Sequence, residues 1–275
     1  MRNIILFIII LFFIYGCEKE NDLGFEVTEG DRLINYTHYS EFSNQTDIDF
    51  IHNDQGQLIK FVSNGGSGTV SLIDYDENGN VVEMNSKSRK RTFSYDSENK
   101  LTKYRSYRSD NDGETFVPWP FVAGYNFHYD NHGIINRIES IYRDSLSENS
   151  TPYGYSIKNS ILHWKDGNVV KSEDYNREGK IAVTRLYEYD NKNNIYQHYP
   201  KMVLPSFVSV GFTRTHAAEL SKNNVVKETT VDHLGYYPSV VCRVCKTIYK
   251  YNSNGLPVMY RNPDIPDRYT VLTYE

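Results

Sequence analysis

Apolar and aromatic residues alternate with polar ones along almost the whole chain, in runs of roughly 7 to 12 residues rich in Tyr, Val, Ile, Phe and Thr. One phrase recurs between the runs: Asp or Asn, two variable residues, Gly or Asn, a further residue, then an apolar one. Copies begin at Asn53, Asp76, Asp96, Asp130, Asn176, Asp190, Asp232 and Asn252. An Asp or Asn side chain can hydrogen-bond its own backbone two residues on, and Gly or Asn three residues later accepts the positive φ that closes a tight turn. The aromatics before it (Phe93 with Tyr95, Phe127 with Tyr129, Tyr187 with Tyr189) share one strand face, and an aliphatic such as Leu58, Val81, Leu101 or Ile135 opens the returning strand. Each copy therefore predicts a β-hairpin. Sequential hairpins predict an all-β antiparallel meander of about 14 to 18 strands, either a water-soluble barrel or a strongly curved open sheet, with no convincing helix.

If alternate turns are tight, the longer connections gather on the opposite rim. These are 109–123, 144–154 and 198–207. Function on a β scaffold lives in such loops. The first holds Trp119 between Pro118 and Pro120, an aromatic that the repeat does not explain, beside Phe121, Asp110 and Asp112. An aromatic face flanked by carboxylates suits glycan binding. The 24 tyrosines could serve the same purpose, but most belong to the repeat and are expected to pack along the sheet. Trp164 is expected in the core. Along 99–109 strict alternation puts charges on both faces (Lys103 and Arg105 on one, Lys100 and Arg108 on the other), which argues against a lipid-facing wall.

The N-terminus departs from this pattern. Met1-Arg2-Asn3 precedes thirteen uncharged residues ending at Gly16, then Cys17. A basic start, an apolar stretch and a small residue before the cut form a targeting segment, too short to span a bilayer well. The expected organisation is a signal peptide over 1–16, an acylated Cys17 with a charged tether over 17–30, and one β domain over 31–275. The lipid on Cys17 makes the membrane the first expected partner. Net charge is −5 and no basic patch carries base-stacking aromatics, so nucleic acid is not an expected partner. Charged residues at 24% with 17 Gly and 9 Pro mark a globular chain.

Ile14-Tyr15-Gly16-Cys17 resembles a bacterial lipobox, and Glu18-Lys19-Glu20-Asn21-Asp22 resembles the acidic export signal of Bacteroides-type surface lipoproteins. Units such as Tyr75-Asp76 to Gly79 and Tyr129-Asp130 to Gly133 resemble the tyrosine-aspartate (YD, or Rhs-type) repeats of bacterial surface proteins, without the Arg that usually follows the glycine. Together they are similar to Bacteroides-type lipoproteins of unknown function described as having a porin-like β fold. The resemblance implies an outer-membrane anchor, facing the periplasm or the cell surface, and supplies no catalytic residues. Asp144-Ser145-Leu146 resembles an O-glycan acceptor of the same bacteria.

Three local features carry other chemistry. Cys242 and Cys245 could be a local disulfide, two separate thiols on opposite strand faces, or half of a zinc site with His233 or His216. Asp74 to Asn80 matches the opening of a calcium loop, yet the twelfth position is Asn85 and the same residues form a hairpin turn. No nucleophile elbow, zinc-protease or phosphate-loop motif is present. The expectation is a surface module binding glycan or a protein partner, with no metal or cofactor. A polysaccharide hydrolase with paired carboxylates and a scaffold subunit using an exposed sheet edge are the alternatives.

Overall fold

The computed structural model describes residues 30–40, 43–64, 69–108, 121–142, 157–199, 216–234, 244–265 and 267–275. Its first nine strands are β1 (Leu33–Ser40), β2 (Ser43–His52), β3 (Leu58–Ser63), β4 (Val70–Tyr75), β5 (Val81–Ser86), β6 (Arg89–Tyr95), β7 (Leu101–Arg108), β8 (Phe121–Tyr129) and β9 (Ile135–Tyr142). The remainder are β10 (Ile157–Lys165), β11 (Asn168–Asn176), β12 (Ile181–Asn193), β13 (Asn223–Asp232), β14 (Val244–Lys246), β15 (Ile248–Tyr251), β16 (Pro257–Arg261) and β17 (Tyr269–Tyr274). All belong to one antiparallel sheet in which neighbours in sequence are neighbours in space, and β1 pairs with both β2 and β17. The sheet thus curls round on itself as a barrel, and the open-sheet alternative falls away.

An antiparallel meander can close only with an even number of wall positions. Seventeen strands satisfy this because β14 and β15 are two halves of one strand, separated by Thr247. The first half pairs with β13 and the second with β16. A single-residue step at Thr247, whose N–H still reaches the Val226 carbonyl at 2.9 Å, hands the pairing across.

Six copies of the recurring phrase build one and the same turn. In those at Asn53, Asp76, Asp96, Asp130, Asn176 and Asn252, the side-chain Oδ1 accepts the N–H groups two and four residues on, at 2.8 to 3.1 Å. The residue three on lies at positive φ: Gly79 at 79°, for example, or Asn99 at 59°. This is a type I turn closed by a left-handed residue, which inserts one extra residue into the returning strand. The copy at Asp190 differs, because β12 runs on through it to Asn193. That at Asp232 continues outside the described residues.

The extra residue decides which side chains enter the core. Opposite Tyr95 and Ser94 stand Leu101 and Lys103, leaving Thr102 unmatched, so Leu101 and Tyr104 both face inward although they are three apart. Leu58 with Phe61, Val81 with Met84 and Ile135 with Ile138 repeat the pattern. Strict alternation therefore assigns the faces of β7 wrongly: Lys103 and Arg105 lie on the outer wall, while Leu101 and Tyr104 are buried. Arg105 lies along that wall, donating to the carbonyls of Tyr104 and Tyr125, and it fits because residue 124 is Gly, where a Cβ would stand 2.4 Å from the Tyr104 oxygen.

The aromatic of each hairpin ties it to the one before. The hydroxyls of Tyr75, Tyr95, Tyr129, Tyr189, Tyr249 and Tyr274 donate to the carbonyls of Leu58, Val81, Leu101, Val169, Val225 and Pro257. Trp164 takes the same place with its indole N–H on the Ile135 carbonyl at 2.7 Å. The tyrosines are thus riveted into one rim. Burial pushes the Tyr75 and Tyr129 hydroxyls up to about 12.

The inward side chains form one continuous apolar cluster, with Leu33, Val81, Met84 and Val169 fully buried. A round barrel of about 16 strands leaves a water-filled lumen. Here the long connection between β12 and β13 helps fill the interior. It carries a 3₁₀ turn (Ile195–His198) and a short helix α1 (His216–Leu220), neither expected from the sequence, and Ile195, Tyr196, Ala217 and Leu220 join the core. The outer wall carries charge in pairs such as Lys90 with Glu83, Lys171 with Glu173 and Lys227 with Glu188, while Arg91, Asp174 and Glu228 are buried. Lipid contact would cost about 2–4 kcal/mol for each such cation near mid-bilayer.

Two outcomes follow for stability. The turn hydrogen bonds hold the Asp76 and Asp130 carboxyls below their ordinary 3.8, through Asn80 for the first and chiefly the Ile134 N–H for the second. A carboxyl depressed in the folded state adds stability above its unfolded pKa, and this is lost as pH falls through the folded value. The double variant Asp76→Asn, Asp130→Asn, which copies the Asn already used at position 53, should keep its melting temperature at pH 7 and lose less than the parent on acidification below pH 3.8. Tyr129→Phe leaves the Leu101 carbonyl without its side-chain donor and should lower unfolding free energy by about 1 kcal/mol in urea titration.

Candidate functional site

Antiparallel alternation divides the connections between two rims. The tight turns after β2, β4, β6, β8, β10 and β15 share one rim with the ends of β1 and β17, while the connections after β7 and β9 lie on the other, together with the tight turn at Asn176 after β11. The sequence reading that pooled 109–123 and 144–154 agrees with this connectivity. Its third member does not, because the connection after β12 belongs to the tight-turn rim. Trp119, Asp110, Asp112 and Cys17 lie outside the described residues. Phe121 opens β8, with its backbone opposite Tyr107.

An open concavity among the described residues lies on the tight-turn rim, where the sheet closes. Arg32 and Glu275 exchange backbone hydrogen bonds at 3.3 and 3.0 Å, and their side chains form an ion pair at 2.5 Å. Beside them, Asp31, His52, Gly56, His198 and Tyr199 complete the lining of a cleft of about 390 Å³, near the lower end of the roughly 300–1,000 Å³ of small-molecule sites. Tyr199 comes from the filling connection and is fixed there because its hydroxyl accepts the Leu33 N–H at 3.1 Å. Its ring stands 6.3 Å from that of His52. Burial, aided by the Arg32 guanidinium and opposed by Glu275, lowers the His52 pKa, which keeps the ring neutral at pH 7. Its Nε2 is enclosed without a hydrogen-bond partner among the described residues. The Asp31 carboxylate is exposed and carries no hydrogen bond or ion pair there. No motif marks these residues: they come from four separate stretches and meet only because β1 pairs with β17 and β2.

Inside the wall, Arg185 bridges the Asp174 and Glu228 carboxylates; Ser160 donates to Asp174 at 2.6 Å and Thr230 to Glu228 at 3.1 Å. Burial works against the Arg185 charge, but Asp174, with Tyr187 and Glu228, raises its pKa; burial raises that of Glu228 despite the guanidinium. These two acids are locked to a cation in a closed wall, which is a different arrangement from the open carboxylate pair that glycoside hydrolysis needs.

Among the described residues no three His, Cys, Asp or Glu side chains converge to hold a metal. In the calcium-like stretch, the Asp76 Oδ1 is occupied by backbone N–H groups and Asp74 sits in β4 opposite Glu83. Cys245 is buried on β14 opposite Glu228 and is disulfide-bonded; Cys242 lies outside the described residues. His233 is exposed, with its Nε2 on the Thr184 hydroxyl at 2.8 Å, and the disulfide at Cys245 leaves that sulfur no thiolate to offer zinc. The sheet is nearly closed; among the described strands, β14 pairs only with β13 and β15 only with β16.

The sequence matches no family model, and no curated protein is detectably similar to it. Among solved structures the chain is similar to a porin-like protein from Bacteroides uniformis, at 10% identity and a TM-score of 0.51, over 89% of this chain and 96% of that one. The Tc holotoxin pore of Photorhabdus luminescens aligns at 12% identity with a TM-score of 0.23, the match spanning 9% of its chain, and a TcdB2-TccC3 complex aligns at 12% identity and 0.24 over 11%. The first likeness shows a shared barrel fold.

Arg185→Met removes the cation between Asp174 and Glu228. It should lower stability by about 3–5 kcal/mol at pH 7, the scale for breaking a buried pair. Because the stranded carboxyls then favour protonation in the folded state, part of that loss should return as pH falls towards 5, which thermal melts at both pH values would show.

Proposed function

We propose that this chain is a lipid-tethered binding module of the bacterial cell envelope, not a conduit, and that its ligand is a glycan or a surface partner. The observations that support the reading are an apolar core cluster joined by the connection after β12 and an outer wall that carries charged pairs. Apolar packing narrows the path through the barrel, and a charged wall belongs in water. The sequence through Cys17 adds the tether, and Trp119 with Phe121, Asp110 and Asp112 offers aromatic and acidic side chains for recognition.

The tether is tested by expressing the full chain in a bacterium with lipoprotein processing. The parent should incorporate labelled fatty acid and fractionate with the outer membrane, whereas Cys17→Ala should do neither; labelling of the variant would refute the anchor. For binding, soluble protein from residue 24 onward should retain glycans on an array, with Trp119→Ala losing at least about tenfold in affinity, a change worth roughly 1.4 kcal/mol. Discrete channel currents from the purified protein in a planar bilayer would overturn the reading.

A further inference from the structure

We infer that the cleft where the barrel closes is a second ligand site, on the rim that carries the ends of β1 and β17, and that it takes one neutral sugar ring. This deepens the glycan reading and rests on it, but uses none of the loop residues named there.

The argument is one of chemical matching. An anionic ligand needs unspent positive charge, and the Arg32 guanidinium already faces the Glu275 carboxylate at 2.5 Å. With His52 held neutral, Asp31 leaves the cleft without an excess of cations. A metal ion needs converging ligands, and no three His, Cys, Asp or Glu side chains converge among the described residues. What remains is a set of unused donors and acceptors around aromatic surface. Asp31 can only accept, and Arg32 has N–H groups beyond those in its ion pair. Each hydroxyl of a sugar both donates and accepts, so one ring can meet this mixed set where a phosphate or an ammonium group cannot. The Tyr199 and His52 rings, 6.3 Å apart and tilted by 41°, offer flat surface for the apolar face of the ring.

The site is also prebuilt. Tyr199 is held by the Leu33 N–H. Gly30 is held by the side-chain amides of Asn252 and Asn254 at 3.0 and 3.1 Å. Little chain has to be ordered when a ligand arrives, which favours binding of a small molecule.

The test uses soluble protein from residue 24 onward and saturation-transfer NMR with glucose, galactose, mannose and N-acetylglucosamine, followed by titration of whichever binds. Arg32→Ala and His198→Ala serve as cleft variants; both side chains are partly or fully exposed, and the Arg32 pair is a surface ion pair, so neither should unfold the barrel. Trp119→Ala serves as the loop variant, and circular dichroism confirms folding of each. The expected result is a sugar whose affinity falls at least about tenfold in a cleft variant and is unchanged in Trp119→Ala. Affinity lost only in Trp119→Ala would support the loop site and overturn the cleft. Saturation by inorganic phosphate in place of sugar, or no response to any sugar, would overturn it as well; array binding that persists in the latter case leaves the broader glycan reading standing.

Discussion

The barrel depends on one carboxylate or amide oxygen, used six times, that takes two backbone N–H groups of the turn it begins. That oxygen satisfies donors that have no ladder partner, and the left-handed residue three positions later completes the reversal. The geometry inserts one extra residue into the returning strand, and that residue sets which side chains point inward. It also places a tyrosine where its hydroxyl meets the carbonyl opening the previous hairpin's returning strand. Local turn chemistry, core composition and the linkage between neighbouring hairpins are thus one device.

Closure adds what repetition cannot. A meander of identical hairpins has two edges, and each edge exposes a row of unpaired backbone groups. Here β1 and β17 remove them by pairing from Leu33 with Tyr274 to Tyr39 with Tyr269, and the step at Thr247 keeps the count of wall positions even. The interior that closure creates is too wide for wall side chains alone in a round barrel. The connection after β12 supplies Ile195, Tyr196, Ala217 and Leu220 to it, with Asn194 capping the 3₁₀ turn and donating to the Ser221 carbonyl at 2.9 Å.

This economy separates structure from function spatially. Repeat tyrosines that could have been read as a sugar-binding surface are spent on carbonyls, and their ring faces pack against the core. The acids that could have formed a hydrolytic pair are held by Arg185 within the wall.

How much of this was legible in the sequence follows from the range of each interaction. The hairpins were, because Asp76 speaks to Asn78 and Asn80, within a few residues of itself; the strand count, the core aromatics and the place of Trp164 came with them. Face assignment beyond the turn was not, because a one-residue bulge at Thr102 reverses alternation and leaves no mark in composition. Neither was the barrel's closure, the filling of its interior by the segment after β12, or the cleft. Arg32 and Glu275 lie 243 positions apart in the numbering, and only the pairing of the first strand with the last brings them within reach. Local chemistry wrote the hairpin into the chain, while the site arises from contacts that exist only once the ring has closed.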